Sequence, residues 1–186
     1  MRVAEPSAAG LRWYLRPLFW LQKRRYGAHL TPATVWARVP PLYLALLGFN
    51  AALERRRSPL EPALRSLVQT RISQLNHCAF CVDLNLLHAA ERSGSMAKAL
   101  AVECWRDSER GGAPFSERER LALEYAEVVT RTDARVDDGL AARLAAAFDE
   151  PTLIELTALI AFQNLSSKFN AALDIPAQGL CRRPVR

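Results

Sequence analysis

The chain has 186 residues, half of them hydrophobic and only 8 of them glycine, which suits one helix-rich domain with a proper core and excludes a disordered chain or a strand-rich sandwich. Lys and Arg number 25 against 19 Asp and Glu, and the net charge of +6 is no more basic than that of many plain soluble enzymes, so no nucleic-acid partner is expected. The opening Met1-Arg2-Val3-Ala4-Glu5-Pro6 is no secretory signal, and the longest uncharged run, between Arg38 and Glu54, falls short of the ~18 apolar residues of a spanning helix; no membrane segment and a cytoplasmic location are expected.

In chain order, Leu11, Tyr14, Leu15, Leu18 and Leu21 form an apolar stripe at helical spacing. Residues 1–23 therefore read as a basic amphipathic helix, bent at Pro17, that packs on the core or on a partner subunit. A loop follows around Gly27 to Pro32. After Pro40-Pro41, a helix is predicted from Leu42 to Arg57, closing before Pro59. Glu61 to Leu75 is the next, with Leu64, Leu67, Val68 and Ile72 inward. Asn76-His77 interrupts the pattern, and a helix over 78–92 ends at Gly94. Ser95 is an N-cap for a helix to Trp105, with Cys104 a small buried residue on the Ala97, Leu100, Ala101 face. Gly111-Gly112-Ala113-Pro114 is a break, and Ser116-Glu117-Arg118-Glu119 has the form of a capping box for a helix to Thr132. Two more helices cover 137–148 and, after Asp149-Glu150-Pro151, the stretch to Leu173, with Leu153, Leu156, Ile160 and Phe169 apolar. The basic tail 180–186 carries Cys181. No alternating strand pattern occurs, so the fold class is an all-α helical bundle in a single domain.

The chemistry centres on Cys78-Ala79-Phe80-Cys81. Without a signal peptide, a close cysteine pair reads as redox-active or metal-binding rather than as a structural staple. At a helix N-terminus, unpaired N–H groups and the macrodipole favour a thiolate. A second cysteine three residues on shares its face and captures an oxidised sulfur as a disulfide. Zinc needs two further ligands; there is no second Cys-x-x-Cys, and His88 lies two turns from Cys81, ~10.5 Å along the axis, so neither metal nor cofactor is expected. His88 does share the azimuth of Cys81, either as a structural hydrogen-bonder or as a proton relay. Asn85, one turn from the sulfur, is within easy reach but is no base at neutral pH. His77 either stabilises a thiolate when protonated or is an exposed loop residue.

The run Val68-Gln69-Thr70-Arg71-Ile72-Ser73-Gln74-Leu75-Asn76-His77-Cys78-Ala79-Phe80-Cys81-Val82-Asp83 resembles the alkylhydroperoxidase D and carboxymuconolactone decarboxylase superfamily, in its longer, peroxidase-related form. Phe115 through Ala126 and Ile154 through Leu173 are similar to two further blocks of that family, and the likeness spans about residues 24–179. The resemblance implies an alkylhydroperoxidase D-like bundle that assembles as dimers, trimers or hexamers. It also implies that Cys78 and Cys81 are both catalytic. The family's proton relay, a histidine four residues after the second cysteine and a glutamate twelve before the first, is replaced here by Asn85 and Ser66. The first functional expectation is a thiol oxidoreductase that reduces a hydroperoxide or a partner disulfide and is itself reduced by an external dithiol or thioredoxin-like protein. The dipole favours attack by Cys78, the resemblance by Cys81. The alternative is a member that has lost its relay and acts as a ligand-binding or redox-sensing oligomer.

Overall fold

The computed structural model describes residues 1–4, 12–107 and 115–181. Its helices are α1 (Arg16–Tyr26), α2 (Thr31–Trp36), α3 (Pro40–Leu53), α4 (Pro62–Leu75), α5 (Ala79–Ser93), α6 (Met96–Ala101), α7 (Glu117–Thr130), α8 (Asp138–Ala147) and α9 (Glu150–Ala172). Short 3-10 turns lie at Trp13–Leu15 and Val102–Cys104. No strand occurs among the described residues, and the fold class is the all-α bundle. The predicted break at 111–114 and most of the basic tail lie outside the described residues.

Local chemistry sets most boundaries. Ser95, Ser116, Asp137 and Asp149 each accept a backbone N–H as N-cap of α6, α7, α8 and α9, and Ser116 with Glu119 completes the capping box. Gly94 closes α5 with φ 69°. Proline is where the expectation needs correction. Pro17, Pro32 and the Pro40-Pro41 pair sit within the first two positions of α1, α2 and α3, where a missing N–H costs no helical hydrogen bond. Thus α1 starts at Arg16 instead of bending at Pro17, α2 occupies a stretch that opens at the end of the predicted loop, and α3 begins at the prolines and ends at Leu53, short of Arg57. The predicted first stripe is also off register. Leu15 and Phe19 are buried, whereas Tyr14, Leu18 and Leu21 are exposed. On α6, Ala99 and the following Val102 face the core, while Ala97 and Leu100 are exposed and Cys104 is half-buried.

Helix α4 is the axis of the bundle. Leu64, Leu67, Val68 and Ile72 are buried as predicted, but so are Arg65, Ser66, Gln69, Thr70 and Ser73, because α5, α7 and α9 all pack against it. One apolar cluster joins Val68 and Ile72 to Leu144, Leu156 and Ile160. A second surrounds the cysteine pair with Leu15, Phe19, Tyr43 and Ile175. No helix among the described residues is long and apolar enough to cross a membrane.

Candidate thiol site

The site is built at the joint between α4 and α5. His77 takes a left-handed conformation, φ 50°, which histidine tolerates better than most residues, and it reverses the chain so that the Cys78 N–H reaches the Ser73 carbonyl at 3.0 Å. Cys78 becomes the N-cap of α5, and its Sγ accepts the Cys81 N–H at 3.2 Å. The two sulfurs form a disulfide. They look out on different sides. Cys81 lines a cavity of about 490 Å³ whose walls include Tyr26, Trp36, Tyr43, Phe80 and Phe162. Cys78 faces a shallower concavity shared with the exposed His77 and with Gly179 and Cys181. There the carboxylate of Asp83 accepts backbone N–H groups from Gln178, Leu180 and Cys181 at 2.8 to 2.9 Å, pinning the C-terminal segment over the pair. Burial works against that charge, but these hydrogen bonds hold the Asp83 pKa below its usual value.

Asn85 does not do what its position one turn from Cys81 suggests. Its amide donates to Ser73 Oγ at 3.0 Å and to the Gln69 carbonyl at 3.4 Å. Gln163 Nε2 donates to the same Ser73 hydroxyl at 3.0 Å, and Ser73 in turn donates to the Gln69 carbonyl at 2.6 Å, so the amides form one buried network. The amide on the Cys81 sulfur belongs instead to Asn170 of α9, with Nδ2 at 3.2 Å. A sequence signal for it existed: Gln163, Ser167 and Asn170 recur at helical spacing along one face of α9, and all three are buried.

His88 lines the same cavity as Cys81, and its Nε2 lies 3.0 Å from the Tyr26 hydroxyl. Burial, aided by the Arg92 guanidinium, pushes its pKa down to about 4, so the ring is neutral at physiological pH. Ser66 is fully buried and accepts from Arg92 Nη1 at 3.0 Å. Arg92 also grips Glu54 with both nitrogens, at 2.8 and 3.2 Å. A carboxylate therefore does reach this wall of the cavity, from the end of α3, a residue the sequence did not single out. Arg25 pairs with Glu91 at the rim, so the cavity's charged residues are matched. Among the described residues, no three His, Cys, Asp or Glu converge as a metal site requires.

The family model described as "Carboxymuconolactone decarboxylase family" matches residues 40–128. The Escherichia coli (strain K12) protein YnjA is 52% identical over 179 residues, 96% of each chain. Among solved structures, a peroxidase-related protein from Silicibacter sp. TM1040 superposes with a TM-score of 0.85 at 18% identity, covering 97% of this chain and 93% of the other. The debrominase Bmp8, solved in complex with 2,3,4-tribromopyrrole, superposes with a TM-score of 0.82 at 20% identity, covering 98% and 94%. At these identities the two structures speak for the fold.

Proposed function

Because the chain belongs to the carboxymuconolactone decarboxylase family, within the alkylhydroperoxidase D-like superfamily, and sets one cysteine of a bonded pair in the wall of a cavity, we propose that it is a thiol-dependent oxidoreductase working through Cys78 and Cys81. The substrate is a hydroperoxide or a partner disulfide. The observation that carries the reading is the Cys78–Cys81 disulfide with one sulfur opening on that cavity.

In the reduced protein the Cys81 thiolate attacks the outer peroxide oxygen, the O–O bond breaks, and the departing alkoxide takes up a proton to leave as an alcohol. The Cys78 thiolate then attacks the resulting sulfenic acid, its S–O bond breaks, and hydroxide leaves as water on protonation. An external dithiol or thioredoxin-like protein returns two electrons and two protons. With a disulfide substrate, a mixed disulfide takes the place of the sulfenic acid. Neither Asn85 nor Ser66 replaces the proton relay of the peroxidase members. The groups of the cavity suited to exchange a proton are the Tyr26 hydroxyl and the neutral His88 it contacts.

The test is the rate at which reduced protein forms the Cys78–Cys81 disulfide with hydrogen peroxide, an alkyl hydroperoxide, a partner-like disulfide and a brominated pyrrole, read by intact mass with Cys78→Ser and Cys81→Ser controls. Oxidation well above that of an ordinary thiol at the same pH, abolished in both variants, is the expected result. The brominated compound belongs in the panel because the debrominase neighbour binds one and the aromatic walls suit such a ligand. If every oxidant reacts no faster than with an ordinary thiol, the cavity's role is binding, and a redox-sensing or ligand-binding oligomer becomes the better reading. Self-association as a dimer, trimer or hexamer is part of the proposal, supported by exposed apolar side chains on α1 and α3.

A further inference from the structure

Each sulfur of the pair receives one N–H donor: Cys78 from the Cys81 backbone and Cys81 from Asn170 Nδ2, both at 3.2 Å. Helix α5 by itself favours charge on Cys78, the N-cap residue closest to the positive end of the dipole. The cavity, however, belongs to Cys81. Three other polar groups near this sulfur have partners elsewhere: the amides of Asn85 and Gln163 donate to Ser73, and His88 meets Tyr26.

Asn170 differs from them. It is 4% exposed, lines the cavity, and leaves its Oδ1 without a hydrogen-bond partner among the described residues. An unmet buried acceptor is costly, and such groups cluster where function demands them. Turning the amide over would set an oxygen lone pair against the sulfur, so only the present orientation stabilises negative charge there. The backbone that carries the side chain is tied down where α9 ends, since the main-chain carbonyl of Asn170 accepts the Ile175 N–H at 3.0 Å.

We propose that Asn170 is the positioning residue that makes Cys81, and not Cys78, the reactive thiolate, by donating its side-chain amide to the Cys81 sulfur. This deepens the oxidoreductase reading, since it assigns the nucleophile within that pair. As a neutral amide, Asn170 donates a hydrogen bond to the sulfur but relays no proton.

The experiment is alkylation of the reduced full-length chain by iodoacetamide from about pH 5 to about pH 10, followed separately at each cysteine by peptide mass spectrometry. The variants are Asn170→Leu, of similar size without the donor, and Asn170→Ala, with the fold of each checked by circular dichroism. The expected result is a rise of about one pH unit or more in the midpoint at Cys81, hence a reaction slowed about threefold or more near neutrality once the higher nucleophilicity of the more basic thiolate is counted, with Cys78 changed far less. An unchanged Cys81 profile in the folded variants overturns the proposal. So does an equal shift at both cysteines, which is what a loosened α5 would give. No peroxide or reductant enters the measurement, so a chain inert to every oxidant defeats the oxidoreductase reading alone, and an unchanged alkylation profile defeats this inference alone.

Discussion

His88 keeps its ring neutral down to about pH 4, while in the unfolded chain it protonates near 6.5. Its contribution to stability is therefore complete above about pH 6.5 and is lost as the pH falls from there toward 4, a total on the order of 3 kcal/mol. Urea titrations at several pH values should show the midpoint falling across that window, and His88→Gln should flatten the fall. Azimuth alone placed His88 on the Cys81 side, since seven residues return a helix almost to the same face. Its partner Tyr26 stands 62 positions away, and no local pattern names it. Asn85 failed for a related reason: spacing sets the direction in which a side chain leaves the helix, but competition among Ser73, Gln69 and the sulfur decides where its amide ends.

Elements are the most legible level, because caps and prolines act within one turn of themselves. Gly94 terminates α5 at φ 69°, and a Cβ added there would meet nothing within 4 Å. The cost of Gly94→Ala is then backbone conformation alone, about 1 kcal/mol, and Gly94→Asn should recover part of it in thermal melts. Ser116→Ala removes the capping box of α7 and should also cost about 1 kcal/mol. The stretch before α3 misled the prediction because a proline that breaks a helix and a proline that starts one look alike until the neighbours on both sides are placed.

At the scale of the whole molecule, Glu127 ties α4, the 3-10 turn and α7 together. It is buried and takes hydrogen bonds from Arg71 Nε at 2.6 Å, Trp105 Nε1 at 2.9 Å and Arg106 Nη2 at 2.8 Å. Burial raises its pKa, but Arg106, Trp105 and Arg71 outweigh burial and hold the carboxyl below its usual value. Its contribution is present above the ordinary carboxylate range and fades as the pH falls through the depressed folded value. Glu127→Ala leaves two guanidinium groups and an indole without their shared acceptor and should cost about 3 kcal/mol in denaturant titration. The proposed self-association predicts a mass in light scattering that is a multiple of the chain's. Trp13, Trp20, Leu42 and Phe49 are exposed at 78, 59, 53 and 48%, and Trp20→Asp with Leu42→Asp should reduce the protein to a monomer if those faces meet.

From its sequence alone, this chain was readable as an all-α bundle whose cysteine pair opens a helix. Apolar periodicity, caps and the N-terminal environment of Cys78 all depend on residues within about four positions of one another. Tertiary packing decided which sulfur meets the cavity and what surrounds it. Tyr26, Glu54 and Asn170 arrive from α1, the end of α3 and α9, and each reaches the site only because α4 and α5 are already packed beneath it. Hydrogen bonds across such chain distances carry no periodic signature, because their partners are chosen by which surfaces bury one another.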